Sequence, residues 1–551
     1  MTAVAHRWTG LAVAPGAAVA PSWRADRPVP LDTGPIDPER VEQAFAAVAA
    51  DLDRAADRVR AEGRQAAADI VAVGALIAAD PDLLDAARQA ATADPPLPAI
   101  GDAVEAYAVL LESLPDEMLR QRAADVRQVG RRVLERLAAR GGGPAGKFVL
   151  VAEEVGPADL IELGGADLAG AVSVRGGANA HAAIVARSIG LPLVAGVDPD
   201  VLELPDGTPL LVDAEAGEVV ADPPPADVAR ASAASERDRE RRVRLAGERG
   251  LPHVTADGRP FTLFCNVASD VEVRLGLGNG AEGIGLVRTE LPFTQADHWP
   301  TEAEHRRALA PILAEAGRRT VTVRLLDFAH DKVPPFLPSG ASGLAELLGH
   351  PAALGAQLRA ALDLGRDAEL EIMVPMVTDP GQMRAVRAAA EVAAGELGTG
   401  PVPVGSMVET VAAVTGIDAL CAAADFLSIG SNDLTAEALD LDRTDPRGRT
   451  ELAAHPAVLA LIGRVVEAAA KAGTPVTVCG DAGSHPITLP LLVGAGVRAV
   501  SVAVARVDET RWRLRRLDTG ACRAVYREAL ESRTAEEVAD LVSRRIEVVV
   551  P

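Results

Sequence analysis

Between Phe261 and Val504 the chain carries eight short apolar runs of strand character: FTLFCNV, GIGLV, VTVRLLD, LEIMVPM, VPVGSMVE, FLSIGSND, PVTVCGD and AVSVAV. Most neighbouring runs are separated by segments of helical character. Buried apolar strands alternating with helices over about 250 residues describe a (β/α)8 TIM barrel. No internal repeat or low-complexity tract competes with that reading.

Upstream of the barrel the texture changes twice. Residues 36–143 are almost wholly helical in pattern, with long Ala/Leu/Arg/Glu stretches broken by DPPLPAIG, and Gly141-Gly142-Gly143-Pro144 closes them. Residues 144–225 switch to short strand-like runs with one helix between, the pattern of a small α/β domain. The opening GLAVAPGAAVAP, within residues 1–35, has the same texture, so the helical bundle reads as an insertion into that domain. Residues 226–250 are charged and helix-forming, a solvated linker helix, and 251–551 hold the barrel. The fold class is therefore multidomain α/β.

Composition narrows the function. With 78 acidic against 55 basic side chains the net charge is −23, which repels a polyanion over most of the surface and makes nucleic acid a poor partner. Lysines are confined to Lys147, Lys332 and Lys471, so an anion site must be built mainly from arginine. Cys265, Cys421, Cys479 and Cys522 have no C-x-x-C spacing, which argues against zinc and disulfides and for the cytosol. The uncharged stretch from Trp8 to Trp23 is broken by Gly10, Pro15, Gly16 and Pro21 and matches a signal peptide poorly, and no other run looks like a membrane span.

In a TIM barrel the active site lies where the strands end. Strand 1 ends at Asn266 and strand 2 at Arg288; strand 3 carries Arg324 and ends at Asp327. Strand 5 ends at Glu409, strand 6 at Asn432-Asp433, and strand 7 carries Cys479 before Asp481. Carboxylates on adjacent strands suit Mg²⁺, and arginines around the same mouth suit a doubly anionic substrate. Capping and loop-entry salt bridges account for single members of this ring, but not for the whole of it on the expected catalytic face.

Four stretches resemble a known family. Gly176 to Pro192, G-G-A-N-A-H-A-A-I-V-A-R-S-I-G-L-P, resembles a phosphohistidine-domain signature. Gly283 to Glu290 (G-I-G-L-V-R-T-E), Met407 to Thr410 (M-V-E-T) and Ser428 to Thr435 (S-I-G-S-N-D-L-T) resemble the phosphoenolpyruvate-utilising barrel. The resemblance is to Enzyme I, the phosphoenolpyruvate-protein phosphotransferases of bacterial sugar uptake, and runs from Gly10 to about Val542, including RAADVRQVGRRVLERL. The related dikinases and synthases need a large nucleotide-binding domain, and this chain has no Gly-rich nucleotide loop.

The resemblance implies residue roles. His181 matches the phospho-accepting histidine, and Arg288, Arg324 and Arg443 match the arginines that hold phosphoenolpyruvate. Glu409 and Asp433 match the Mg²⁺ ligands, Asn432 and Asp433 meet the substrate, and Cys479 matches the acid that protonates the enolate carbon. The implied partners are the histidine phosphocarrier protein HPr, docked by the inserted helices, and a second copy of the chain through the barrel. Hinges are expected near Gly143 and Ala226.

The chain also departs from the family pattern. Leu160 stands where a threonine usually bonds the imidazole; Ala329-His330-Asp331-Lys332 replaces G-G-D-K; SGASGLAELLGHP lacks a phosphate-binding arginine; and Cys479-Gly480-Asp481 replaces C-G-E. Two rival readings follow, a regulator that binds phosphoenolpyruvate or carrier without turnover, and a dikinase-like enzyme with a separate nucleotide subunit.

Overall fold

The computed structural model describes residues 6–24, 36–61, 65–113, 117–138, 146–163, 167–176, 181–294, 296–328, 333–338, 343–441 and 449–547. Packing divides the chain into two compact units, Met1–Glu240 and Arg241–Pro551.

The first unit is built on one mixed sheet. Its strands are β1 (Arg7–Thr9), β2 (Leu11–Ala14), β3 (Ala17–Arg24), β4 (Phe148–Ala152), β5 (Leu168–Ser173), β6 (Leu193–Ala195), β7 (Pro209–Asp213) and β8 (Glu218–Ala221). They lie in the order β1-β8-β7-β3-β4-β5-β6-β2, with β3, β4, β5 and β6 parallel to one another. Five helices intervene between the neighbours β3 and β4: α1 (Pro38–Ala61), α2 (Gln65–Ala78), α3 (Pro81–Ala90), α4 (Pro96–Glu112) and α5 (Glu117–Leu137). Their core is Phe45 surrounded by Val, Leu, Ile and Ala side chains such as Leu52, Leu83, Ile100 and Val133, as a chain poor in aromatics requires.

Two short helices cover the parallel strands, α6 (Pro157–Glu162) and α7 (His181–Ile189). Leu160 of α6, the first turns of α7 (Ala182, Ala183, Val185, Ala186), Ala68 of α2 and Phe148 and Leu150 of β4 share one buried core. The carboxylate of Asp159 fixes α6 to α5: it accepts from Gly156 N at 3.1 Å and pairs with Arg131 and, at 3.3 Å, Arg132. Burial works against that charge, but the two guanidinium groups outweigh it and hold the carboxyl below its ordinary range. A long helix, α8 (Pro225–Ala246), runs on from the sheet.

The eight apolar runs form a closed parallel barrel of β9 (Thr262–Val267), β10 (Ile284–Val287), β11 (Thr320–Arg324), β12 (Glu369–Val374), β13 (Val404–Val408), β14 (Leu427–Gly430), β15 (Val476–Cys479) and β16 (Ala499–Ala503), with β16 pairing back to β9. Alternate residues face the surrounding helices: Leu263, Cys265, Val321, Val323, Val404, Val408, Leu427, Ile429 and Val478 all join the core beneath them. The intervening residues face inward. Among the described residues no helix is long and apolar enough to cross a membrane.

One core residue makes the barrel sensitive to acid. His305, on the helix Glu302–Ala316, is 1% exposed, stands edge-on to Phe293 at 5.2 Å, and has no hydrogen-bond partner at either ring nitrogen. Burial pushes its pKa down to about 4, against an ordinary 6.5. The unfolded chain then takes up this proton before the folded one does. The stability tied to a neutral His305 is complete above pH 6.5 and is lost as pH falls from there towards 4, an effect of order 3 kcal/mol. Urea unfolding of His305→Leu should show a smaller loss of stability between pH 7 and pH 4.5 than the parent protein; identical pH slopes would contradict this.

Candidate active site

The inward residues of the barrel form a layered column. Leu286, Met373, Met407, Phe426 and Cys479 make one buried apolar layer. Two residues beyond Met407, and so on the same face, the chain places Glu409 just past the end of β13. Ser428 and Gly430 of β14 face inward in the same way, paired to Thr477 and Cys479 of β15. Ser501 on β16 donates to Asn266 Oδ1 on β9 at 2.6 Å, closing the ring on that side.

Arg324 is the last residue of β11 and is almost wholly buried. Its Nη2 meets Glu290 Oε1 at 2.5 Å and its Nη1 meets Asp327 Oδ2 at 3.0 Å, while Nη1 also lies 3.9 Å from Met407 Sδ. Burial disfavours the guanidinium charge, but Glu290, Asp327 and Glu409 outweigh burial and raise its pKa. Arg288, immediately after β10, is exposed, and its charge reaches Cys479. Glu290 matters as much as any residue named from the sequence. It closes the G-I-G-L-V-R-T-E motif, but nothing in the pattern shows that it pairs with an arginine on the next strand.

Glu409 is buried and accepts from Met376 N at 2.6 Å. Its carboxyl is pushed up, first by burial and then by the neighbouring Asp327 and Asp433 carboxylates. It can stand there because residue 430 is glycine: a Cβ at that position would lie 2.8 Å from Glu409 Oε2. Asn432 and Asp433 sit in the first turn of the helix Ser431–Ala438, not at a strand end as expected, because the backbone turns helical directly after Gly430. Asn432 Nδ2 donates to Asp481 Oδ2 at 3.1 Å, and Asp481 N donates back to Asn432 Oδ1 at 3.1 Å. Gly480 between the two loops has φ +114°, and a Cβ there would meet Ser431 Oγ at 2.4 Å. The C-G-D departure therefore has a structural role, since its carboxylate orients Asn432.

Cys479 closes β15 beneath this polar ring. Ser428 Oγ donates to its sulfur at 3.1 Å, a partner the sequence did not single out. Burial raises the thiol pKa to about 11, despite the opposing pull of Ser428. The group is thus a protonated thiol throughout the neutral range.

Two expectations cannot be placed in this mouth. Arg443 and the segment Ala329-His330-Asp331-Lys332 lie outside the described residues, as does the hinge expected at Gly143. In the first unit, His181 is the first residue of α7, shortly after Gly176 with φ +108°. Leu160 is fully buried in the core beneath the first turns of α7, so this position supplies packing where the family pattern has a hydroxyl.

Taken together, the described mouth holds five carboxylates (Glu290, Asp327, Glu409, Asp433 and Asp481) and two arginines (Arg288, Arg324). The excess negative charge suits a divalent cation. Among the described residues no three His, Cys, Asp or Glu side chains converge as a self-sufficient metal cage.

Family models match the chain in three consecutive stretches: the N-terminal domain of PEP-utilising enzymes over residues 9–122, their mobile domain over 144–217, and their PEP-binding domain over 242–519. The last contains every mouth residue described above. The chain belongs to the PEP-utilising enzyme family. It is 35% identical to the multiphosphoryl transfer proteins of Rhodobacter capsulatus and Xanthomonas campestris, over 78% and 80% of its own length. The chain spans about half the length of those two relatives, 54% and 55%. It is 32% identical to a phosphoenolpyruvate-protein phosphotransferase of Streptomyces coelicolor, with 92% of each chain covered.

The thiol can be tested directly. With a pKa near 11 in place of 9.0, the thiolate fraction of Cys479 at pH 8 is lower by about a hundredfold, before any steric shielding. Peptide mapping after timed iodoacetamide treatment should show Cys479 modified at least that much more slowly in the folded protein than in urea. Comparable rates in the two states would contradict a buried, neutral thiol.

Proposed function

We propose that this chain transfers the phosphoryl group of phosphoenolpyruvate to His181 and from there to a histidine of a small phosphocarrier protein, HPr, releasing pyruvate. The observation that carries the reading is the barrel mouth, where Arg324 is buried among carboxylates and its charge reaches a protonated cysteine. The similarity to a phosphoenolpyruvate-protein phosphotransferase over 92% of both chains supports it.

In this reading Arg288 and Arg324, with Arg443, hold the phosphate and carboxylate of the substrate through charge-assisted bonds. Glu409 and Asp433 would hold Mg²⁺, which when bound neutralises charge on the transferring phosphoryl group. Asn432, oriented by Asp481, donates to a substrate oxygen. A neutral imidazole nitrogen of His181 attacks phosphorus, the bond from phosphorus to the enolate oxygen breaks, and the phosphoryl group stays on nitrogen. The enolate takes a proton at its methylene carbon from the Cys479 thiol, giving pyruvate. Positioning and charge neutralisation supply the rate, as in other phosphoryl transfers.

In this reading the carrier docks on α2. Helix α2 begins in the core shared with α7, through Ala68, and further along presents Leu76, which is 72% exposed. A phosphocarrier seated on α2 would therefore lie close to His181. Transfer to two different partners further implies that the His181 domain moves between them; pairing of the barrel with a second copy is what the family resemblance alone implies.

A second reading, a regulator that binds without turnover, is favoured by Leu160. Its buried aliphatic side chain cannot orient the imidazole by a hydrogen bond. Radiolabelled phosphoenolpyruvate with Mg²⁺ distinguishes the two. The first reading expects acid-labile label on the parent protein, none on His181→Ala, and onward transfer to added HPr. Cys479→Ala should suppress pyruvate formation while sparing exchange between His181 and phosphorylated HPr. Binding of phosphoenolpyruvate without labelling would establish the regulator instead.

A further inference from the structure

The helix Pro351–Leu364 packs its inner face on the outside of the barrel with Ala353, Leu354, Leu358, Ala361 and Leu362, yet that face also carries Gln357 at zero exposure. A buried primary amide costs stability unless its bonds are made, and a leucine would fill such a site without that demand. Gln357 has partners at both ends of its amide. Its Oε1 accepts from Leu326 N at 3.0 Å, and its Nε2 donates to Thr289 Oγ1 at 3.0 Å and to Arg324 O at 3.4 Å. A backbone N–H can only donate, so Oε1 faces Leu326 and the amide nitrogen is turned towards Thr289 and Arg324, whose acceptor oxygens lie 2.8 Å apart, close enough to share one N–H. Thr289 Oγ1 in turn donates to Arg324 O at 2.8 Å.

These bonds converge on one place. Thr289 lies between Arg288 and Glu290, and Leu326 lies between Arg324 and Asp327 along the chain. The amide therefore ties the backbone just beyond β10 to the backbone at and just beyond β11, the two strand ends that supply the mouth's arginines and two of its carboxylates. We propose that Gln357 is a positioning residue for the substrate site, locking Arg324 and its partners Glu290 and Asp327 in register from outside the barrel, with Thr289 as the link. The proposal rests on reading the barrel mouth as the phosphoenolpyruvate site.

An arginine held in place binds the anionic substrate in its ground state as well as in the transition state, so loosening it acts mainly on the Michaelis constant. Gln357→Met keeps the volume and removes the donors; Thr289→Val removes the hydroxyl and keeps the shape. Each should raise KM for phosphoenolpyruvate by about tenfold or more while kcat changes by less than about threefold. The double variant should be little worse than the poorer single, because the two residues act as one unit. Thr289→Ser, which retains the hydroxyl, should recover most of what Thr289→Val loses.

Far-UV circular dichroism and melting temperature identify folded variants, and Thr289→Val carries the test if Gln357→Met fails to fold. Unchanged KM in folded variants would overturn the proposal. So would activity that falls only in proportion to the folded fraction, since that marks a merely structural amide. The parent protein is assayed first: if it neither binds nor turns over phosphoenolpyruvate, the functional reading fails, a result distinct from either outcome for the variants.

Discussion

A guanidinium without water around it survives only among anions, and in this barrel that requirement organises the rest of the mouth. Arg324 lies above an apolar layer and is answered by Glu290 and Asp327 on separate loops, so those loops must close to within bonding distance of the end of β11. Gathering carboxylates there has a second effect. Glu409, pressed against Gly430 and facing Asp327 and Asp433, resists ionising, and the group of charges remains negative on balance until a cation or an anion-bearing cationic complex joins it. The same low-dielectric setting keeps the Cys479 proton in place. One buried positive charge thus gathers the carboxylates that push Glu409 up, in the same buried setting that keeps the Cys479 thiol protonated.

Much of this is legible in the sequence, for identifiable reasons. A parallel barrel buries both faces of its strands, so eight apolar runs stand out against Ala- and Arg-rich helices. The rule that sites sit at strand ends then picked out Arg324, Glu409 and Cys479 individually. Pairings across strands were harder to foresee. Glu290 reads as the end of a motif, Ser428 as an ordinary strand residue, and Gln357 as one polar position on a helix with other polar positions. Each acquires its role from a neighbour between 34 and 68 residues away. Asn432 and Asp433 were assigned to a strand because SIG runs straight into them, whereas the helix begins at Ser431.

Leu160 shows how a departure from a family pattern can change meaning once it is placed. In the sequence it is a missing hydroxyl. In the fold it is one of the largest fully buried side chains, packed beneath the helix that His181 opens. The position gives the helix apolar contact with α6, which Asp159 and two arginines hold against α5.

The route of the chain between β3 and β4 has an evolutionary consequence. The two strands are neighbours and run parallel, so the end of one and the start of the other lie at opposite ends of the strand pair. The five helices are the crossover that carries the chain back, and parallel neighbours need a dozen residues or more to make that return. A lineage could exchange this helical segment for another of sufficient reach, but it could not excise the segment and rejoin the stubs. Variation among relatives at this point should therefore take the form of substitution of one return path for another, never of its loss.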